Sequence, residues 1–303
     1  MRFKIKILVF LLISVNKLFG QNFNNYNTEI NNCIRKADSC KVKLDYTNSF
    51  NYLSKALNQA KKTKNINAEV YCNIKLIELF RHASIFKKSE FYLTKTETLI
   101  SKNKDKITDF NLMSFYSRKA ALYSEYYNIA DSVNYYSTKT LTLAKKLQNL
   151  DFQFISLMEI GFYYEQTNSL GNAIAYYEKG LQVAKQHNKT SEYCDALINL
   201  ARTLEKTKYY NLAIDKCNEG LKILETSDNY FQKLLFYEIK QKAYLNLGNK
   251  SAAYDNLKQR LKYTDKYYEN SIQIKLIEES KKYDLLERDK TISQKEKDIK
   301  TAK

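Results

Sequence analysis

The side chains that could do chemistry are few. The chain has five cysteines, Cys33, Cys40, Cys72, Cys194 and Cys217, and two histidines, His82 and His187. Cys33 and Cys40 share one face of a helix but stand about 10 Å apart along it, beyond the reach of a disulfide. No pair of cysteines has the short spacing of a zinc knuckle, and with two histidines no metal site is expected. The cysteines read as small core residues. A nucleophile elbow, an HExxH pair and a Cys–His arrangement are all missing from the sequence. The six glycines are used up by the end of the first twenty residues, by turns and by close helix contacts, so none is left to cradle a phosphate. The expectation is a protein without catalytic residues or cofactor, whose work is binding.

The elements that must position any binding site are helices. Proline is absent from the 303 residues, and hydrophobic residues make up 44%. Few breakers and no long alternation of apolar and polar residues point to an all-α protein. The formal charge of +17 raises a nucleic-acid reading. However, Arg2, Lys4, Lys6 and Lys17 fall in a candidate leader, and the other lysines are interspersed with Asp and Glu. A solvated basic surface is the better reading, and no nucleic-acid partner is expected.

Residues 1–20, MRFKIKILVFLLISVNKLFG, have the three-part plan of a secretory signal peptide: Arg2, Lys4 and Lys6, an apolar run from Ile7 to Val15, and a polar stretch ending at Gly20. The run is too short for a membrane span, and no second one follows. Cleavage after Gly20 is expected, which would place the mature chain in the periplasm or outside the cell with no transmembrane segment.

A motif recurs after this leader. Small residues at Ser49, Ser89, Ser132, Ala173, Ala213 and Ala253 each open a similar stretch, such as AIAYYEKGLQVAK from Ala173, at a step close to 40 residues. A second series, Phe80, Tyr123, Tyr164, Leu204 and Tyr244, runs in phase with it. Between the two lie TNSLGN and LNLGN, where Gly171 and Gly248 can take the turn after a helix. Each unit reads as two antiparallel helices that bury their faces against neighbouring units.

This arrangement resembles the tetratricopeptide repeat, with its small residues represented by Gly161, Ala173 and Gly180 in one unit and Ala201, Ala213 and Gly220 in the next. The resemblance covers most of residues 45–262. The step exceeds the usual 34 residues, which implies longer helices or connections. The family's Trp is replaced by Leu157, Leu197 and Tyr237, its closing Pro by Lys185 or Glu225, and a small residue of the last unit by Arg260. The third unit slips by one residue, which predicts an irregular helix. The resemblance implies a right-handed α-solenoid of five to six repeats over residues 21–262, with a peptide-binding groove lined by set positions on each first helix. Those positions are Tyr71, Ile74, Glu78 and Arg81; Ser114, Ser117, Ala121 and Ser124; Ile155, Met158, Phe162 and Glu165; and Asp195, Ile198, Arg202 and Glu205. The Lys and Asn with which some members clamp a C-terminal carboxylate are not matched.

Residues 263–303 continue as a charged helix in which Leu285, Ile292 and Ile299 recur every seven residues, hinting at a coiled-coil seam and a homodimer. Leader, repeats and tail together resemble the sensory ectodomains of bacterial tetratricopeptide-repeat histidine kinases and related membrane-bound regulators. The chain reaches Lys303 without transmembrane or effector parts, so kinase and DNA-binding functions are not carried over. The functional expectation is a protein- or peptide-binding scaffold, the sensing module of a truncated or split signal-transduction protein. The alternative is a complete periplasmic adaptor, and an enzyme is the least favoured reading.

Overall fold

The computed structural model describes residues 26–301 and, within its last helix, the side chains up to residue 268 and those of 279–292 and 294. The candidate leader and its cleavage site lie outside them. Every regular element among the described residues is a helix. In chain order they are α1 Thr28–Val42, α2 Tyr46–Lys62, α3 Ile66–His82, α4 Phe86–Lys102, α5 Asp109–Leu122 and α6 Ala130–Lys146. There follow α7 Leu150–Gln166, α8 Leu170–Gln186, α9 Thr190–Lys206, α10 Tyr210–Ile223, α11 Tyr230–Asn246 and α12 Lys250–Thr301. Consecutive helices from α1 to α5, and again from α6 to α11, pack against one another.

One turn, used again and again, sets the spacing. After α3, Ile85 N–H donates to Phe80 O at 2.8 Å and Ser84 N–H to Arg81 O at 2.9 Å, the paired bonds of a Schellman cap. The same pattern closes α2, α7, α8, α9 and α11. In each cap one residue takes the left-handed conformation: Lys64, Ser84, Asn168, Asn188, Lys208 and Gly248 among others, with φ between 51° and 76°. A helix of 17 residues followed by three linking residues fills half of the 40-residue step, so longer helices account for the departure from 34. Asn65, Asn149 and Asn229 start the next helix by accepting a bond from its first-turn amides. Asn168, not Gly171, takes the turn before α8; Gly171 lies in that helix's first turn.

The slip in the third unit has two sources. The link before α5 is longer and holds a 3₁₀ turn, Lys104–Lys106, pinned by Asn67, whose amide donates to Lys106 O at 2.7 Å and whose oxygen accepts from Thr108 N–H at 3.0 Å. A π-helical turn, Tyr123–Tyr127, then absorbs one more residue, so Ile129 N–H reaches back six positions to Tyr123 O. As a result Val133, 5% exposed, occupies the small-residue position expected at Ser132.

The small residues admit partner side chains. A Cβ on Gly161 would lie 2.5 Å from the Tyr177 ring, and one on Gly220 would lie 2.0 Å from that of Phe236. Ser49 and Ser89 donate their hydroxyls to Ala37 O and Ile77 O on the preceding helices, both at 2.9 Å.

The packing divides into two compact units, one comprising residues 123–267 and the other residues 26–122 with 268–301. In the second, Leu285 is fully buried in the cluster built by Ile30, Phe50, Leu53, Leu76 and Phe80, and Ile292 packs against it. Arg288 Nε donates to Asn51 Oδ1 at 2.9 Å, and Lys88 pairs with buried Asp289 at 2.5 Å. Two residues of the seven-residue seam are thus occupied within the chain itself.

Gly220→Ala is expected to destabilise the fold by about 1–3 kcal/mol, because the Phe236 ring must give way. Gly171→Ala, with nothing within 4 Å of the new Cβ, should stabilise it by about 0.5–1 kcal/mol. Urea unfolding of the two variants distinguishes a close-contact glycine from a replaceable one. In the same assay Leu285→Ala is expected to cost about 2–4 kcal/mol, whereas a solvated tail would leave the midpoint unchanged.

Candidate functional site

The first helices of successive repeats carry polar side chains whose partners lie one repeat away. In the unit containing residues 26–122, Lys75 Nζ on α3 bridges both carboxylate oxygens of Asp38 on α1, at 2.9 and 3.0 Å. Lys41 on α1 returns the contact to Glu78 on α3, and Arg118 on α5 approaches the same carboxylate at 3.9 Å. Burial alone would raise the Glu78 carboxyl, but Lys41, Lys75 and Arg118 together hold it well below the usual carboxylate range. Lys75 shows the converse. Burial opposes its charge, yet Asp38, Tyr71 and Glu78 raise its pKa, so the lysine stays protonated. Loss of water and the nearby Arg81 and Lys41 keep His82 well below the usual histidine value. The result is an ion-pair file across three helices, with the Glu78 side chain 15% exposed.

In the unit of residues 123–267 the rungs run between α7, α9 and α11. Buried Glu165 accepts from the Tyr177 hydroxyl at 3.0 Å and from Lys206. Gln232 on α11 donates to Asp195 Oδ1 at 2.7 Å and to Ser191 O at 3.0 Å. Glu205 accepts from Asn246 at 2.9 Å. Asp195 lacks a cation at hydrogen-bond distance. Burial pushes its carboxyl up to about 6, and the Gln232 bond only partly opposes that rise.

The groove positions implied by the repeat resemblance divide into two sets. Ile74, Met158 and Ile198 are at most 5% exposed and Glu165 is 8% exposed; these four pack between helices and do not line an open surface. Ser114 and Ser117 are buried as well. The accessible set is half-buried Tyr71, Glu78, Arg81, Ile155, Asp195, Arg202 and Glu205, together with Phe162, 43% exposed. A straight helix of fixed period would show one face to solvent. Here neighbouring helices cover part of that face, as where Met158 meets Gly180 and Glu165 meets Tyr177 on α8, and sequence spacing does not show which part. Lys41, Lys75, Arg118 and Gln232 were missed. Their signal is partnership at a separation of 37–41 residues, as in Lys75 with Asp38 and Glu205 with Asn246.

The cysteines are free. Burial pushes the Cys72 and Cys194 thiols up to about 12 and raises Cys217 too, so none of these three is a ready nucleophile. Surface depressions of ≈ 300 Å³ beside Tyr209 and Leu247 and of ≈ 370 Å³ beside Tyr237 and Tyr263 gather no cluster of perturbed acids and bases. Among the described residues, no helix is long and apolar enough to cross a membrane.

No protein-family profile matches the chain, and no curated protein does. Solved structures do. A Signal Transduction ATPase with Numerous Domains protein with a tetratricopeptide repeat sensor, from Pyrococcus horikoshii, superposes with a TM-score of 0.65 at 15% identity, over 86% of this chain and 42% of that one. This chain therefore spans less than half the length of that protein. PilW, a widely conserved type IV pilus biogenesis factor, gives 0.58 at 18% identity, over 77% and 93% of the two chains. A Rap protein complexed with competence and sporulation factor gives 0.56 at 11% identity, over 88% and 76%. The likeness establishes the fold, an all-α solenoid of the tetratricopeptide-repeat kind.

Asp195 has a folded pKa above its ordinary value of 3.8, so the folded state holds the proton more tightly and stability falls as pH rises from about 4 towards 6. Asp195→Asn keeps the acceptor for Gln232 and removes this cost. The variant should gain on the wild type by roughly 1–3 kcal/mol between pH 4 and pH 7, measured by urea unfolding at each pH. A gap constant with pH would show that Asp195 is not held in this way.

Proposed function

We propose that the chain is a non-catalytic scaffold that holds an extended or helical peptide segment of a protein partner against its first-helix face. One observation carries this reading. On α7 and α9, Ile155, Phe162, Asp195, Arg202 and Glu205 remain accessible beside one another's helix, an apolar ring among charges of both signs. Exposed aromatic and guanidinium groups on a rigid helical frame suit a peptide that contributes both apolar and charged side chains. The Rap neighbour, complexed with competence and sporulation factor, supports the reading as an instance of the same fold carrying a ligand.

Within this reading, a sensing module of a signal-transduction protein is favoured over a free-standing adaptor, because the 52-residue α12 continues out of the last repeat as one helix and offers a rod through which occupancy could be transmitted. The leader-like pattern of residues 1–20 favours a periplasmic or extracellular setting for this work. A homodimer through α12 would have to compete with the burial of Leu285 inside its own chain.

Panning a displayed library of random peptides on the full chain tests the proposal. An enriched peptide should bind wild type and lose roughly tenfold or more in affinity on Phe162→Ala or Arg202→Ala. Tyr283→Ala, at a 67% exposed tail residue, should leave binding unchanged. Failure to enrich any peptide, or equal affinity for all the variants, sinks the assignment. Ile198 is unsuitable as a probe, because truncating it tests packing.

A further inference from the structure

Where α7, the end of α8 and the start of α9 meet, three side chains that the peptide-binding reading does not use converge. Asp151 stands in the first turn of α7, His187 caps α8, and Glu192 lies in the first turn of α9. One donor atom from each lies within 4.8 Å of both others. We propose that Asp151, His187 and Glu192 form a binding site for a late first-row divalent cation such as Zn²⁺, with the Lys189 ammonium as the competing internal cation.

Three features support the assignment. His187 Nδ1 and Asp151 Oδ1 are 3.4 Å apart, close to the edge of about 3.3 Å that a tetrahedral ion with bonds of 2.0–2.1 Å requires. Glu192 is only 5% exposed and its Oε2 has no hydrogen-bond partner among the described residues; His187 Nδ1 is likewise buried and makes no hydrogen bond there beyond its 3.4 Å approach to Asp151 Oδ1. Such atoms normally find a partner. Finally, Lys189 donates to Asp151 and, at 3.1 Å, to Glu192 Oε1, so one ammonium is shared between two carboxylates. A divalent ion in place of that ammonium brings a second positive charge to the carboxylates and a bond to both His187 Nδ1 and Glu192.

Entry requires only one side chain to move. Lys189 caps α9 on a four-carbon stem, and its side chain is 23% exposed, so the ammonium can swing into water. An imidazole with two carboxylates suits Zn²⁺, Co²⁺ or Ni²⁺ better than Ca²⁺ or Mg²⁺, which prefer all-oxygen shells. The donors are spread over residues 151–192, a spacing that no metal motif would reveal.

Calorimetric titration of Zn²⁺ into the full-length chain should show one site. His187→Gln should weaken it by more than about tenfold, and Lys189→Met, which removes the competitor but keeps its bulk, should tighten it by at least a similar factor. Since Lys189→Met leaves Glu192 without its counter-charge, a measurement on the wild type guards against its failure to fold. Of the two histidine ring signals in the proton NMR spectrum, substoichiometric Co²⁺ should perturb the one that disappears in His187→Gln. Zinc affinity equal in wild type and His187→Gln would put the metal elsewhere on the chain and overturn the site. So would an unperturbed His187 signal.

Discussion

The structure depends on how each helix stops. After most helices a residue in the left-handed conformation closes a Schellman cap and three linking residues turn the chain back, so helices of about 17 residues recur in antiparallel pairs at a step near 40. Most of these caps are not glycine: Lys64, Gln148, Asn168 and Lys208 all hold φ above +50°. Each such residue costs roughly 1–2 kcal/mol relative to ordinary helical backbone. The cost is tolerated because the turn delivers a whole helix to its packing site, where burying one large apolar side chain contributes about 1.5–3 kcal/mol. Among the left-handed caps of the described residues, Gly248 avoids it.

The fixed step also dictates the polar architecture. Because corresponding positions recur at the same height on successive first helices, a charge on one helix meets its partner at a separation near 40, as with Lys75 and Asp38, Lys206 and Glu165, and Asn246 and Glu205. Half-buried ion pairs of this kind add little net stability over well-packed apolar residues, but losing one partner is costly because the other charge is left desolvated. Their effect is to fix the register of one repeat on the next. Where such a rung has no cation at hydrogen-bond distance among the described residues, as at Asp195, or shares one ammonium between two carboxylates, as at Asp151 and Glu192, the same geometry leaves buried carboxylates incompletely partnered.

The tail obeys a different rule. Past the last repeat α12 runs on without a break. Its apolar residues are too sparse for a core of their own, so Leu285 and Ile292 pack into the cluster around Phe50 and Phe80. Leu285 and Ile292, two residues of the seven-residue spacing that hints at pairing with another chain, are met by the protein's own early repeats, and Lys88 meets the charge of Asp289.

The sequence alone was enough for the helical class, the 40-residue step and the small-residue contacts, because these follow from local spacing: Ala173 and Ala213, Gly161 and Gly220 recur whether or not the chain is folded. It also showed an irregularity in the third unit. What it could not show was how that irregularity is shared between the Asn67-pinned link and the π turn, or that Val133 and not Ser132 is the buried residue. Nor could it separate accessible Phe162 and Arg202 from buried Met158 and Ile198. A residue's place on a helix face is set by its own helix. Whether that face stays open is set by the neighbouring helix, and the partners of Glu78, Asp195 and Leu285 were likewise decided by packing between residues far apart in sequence.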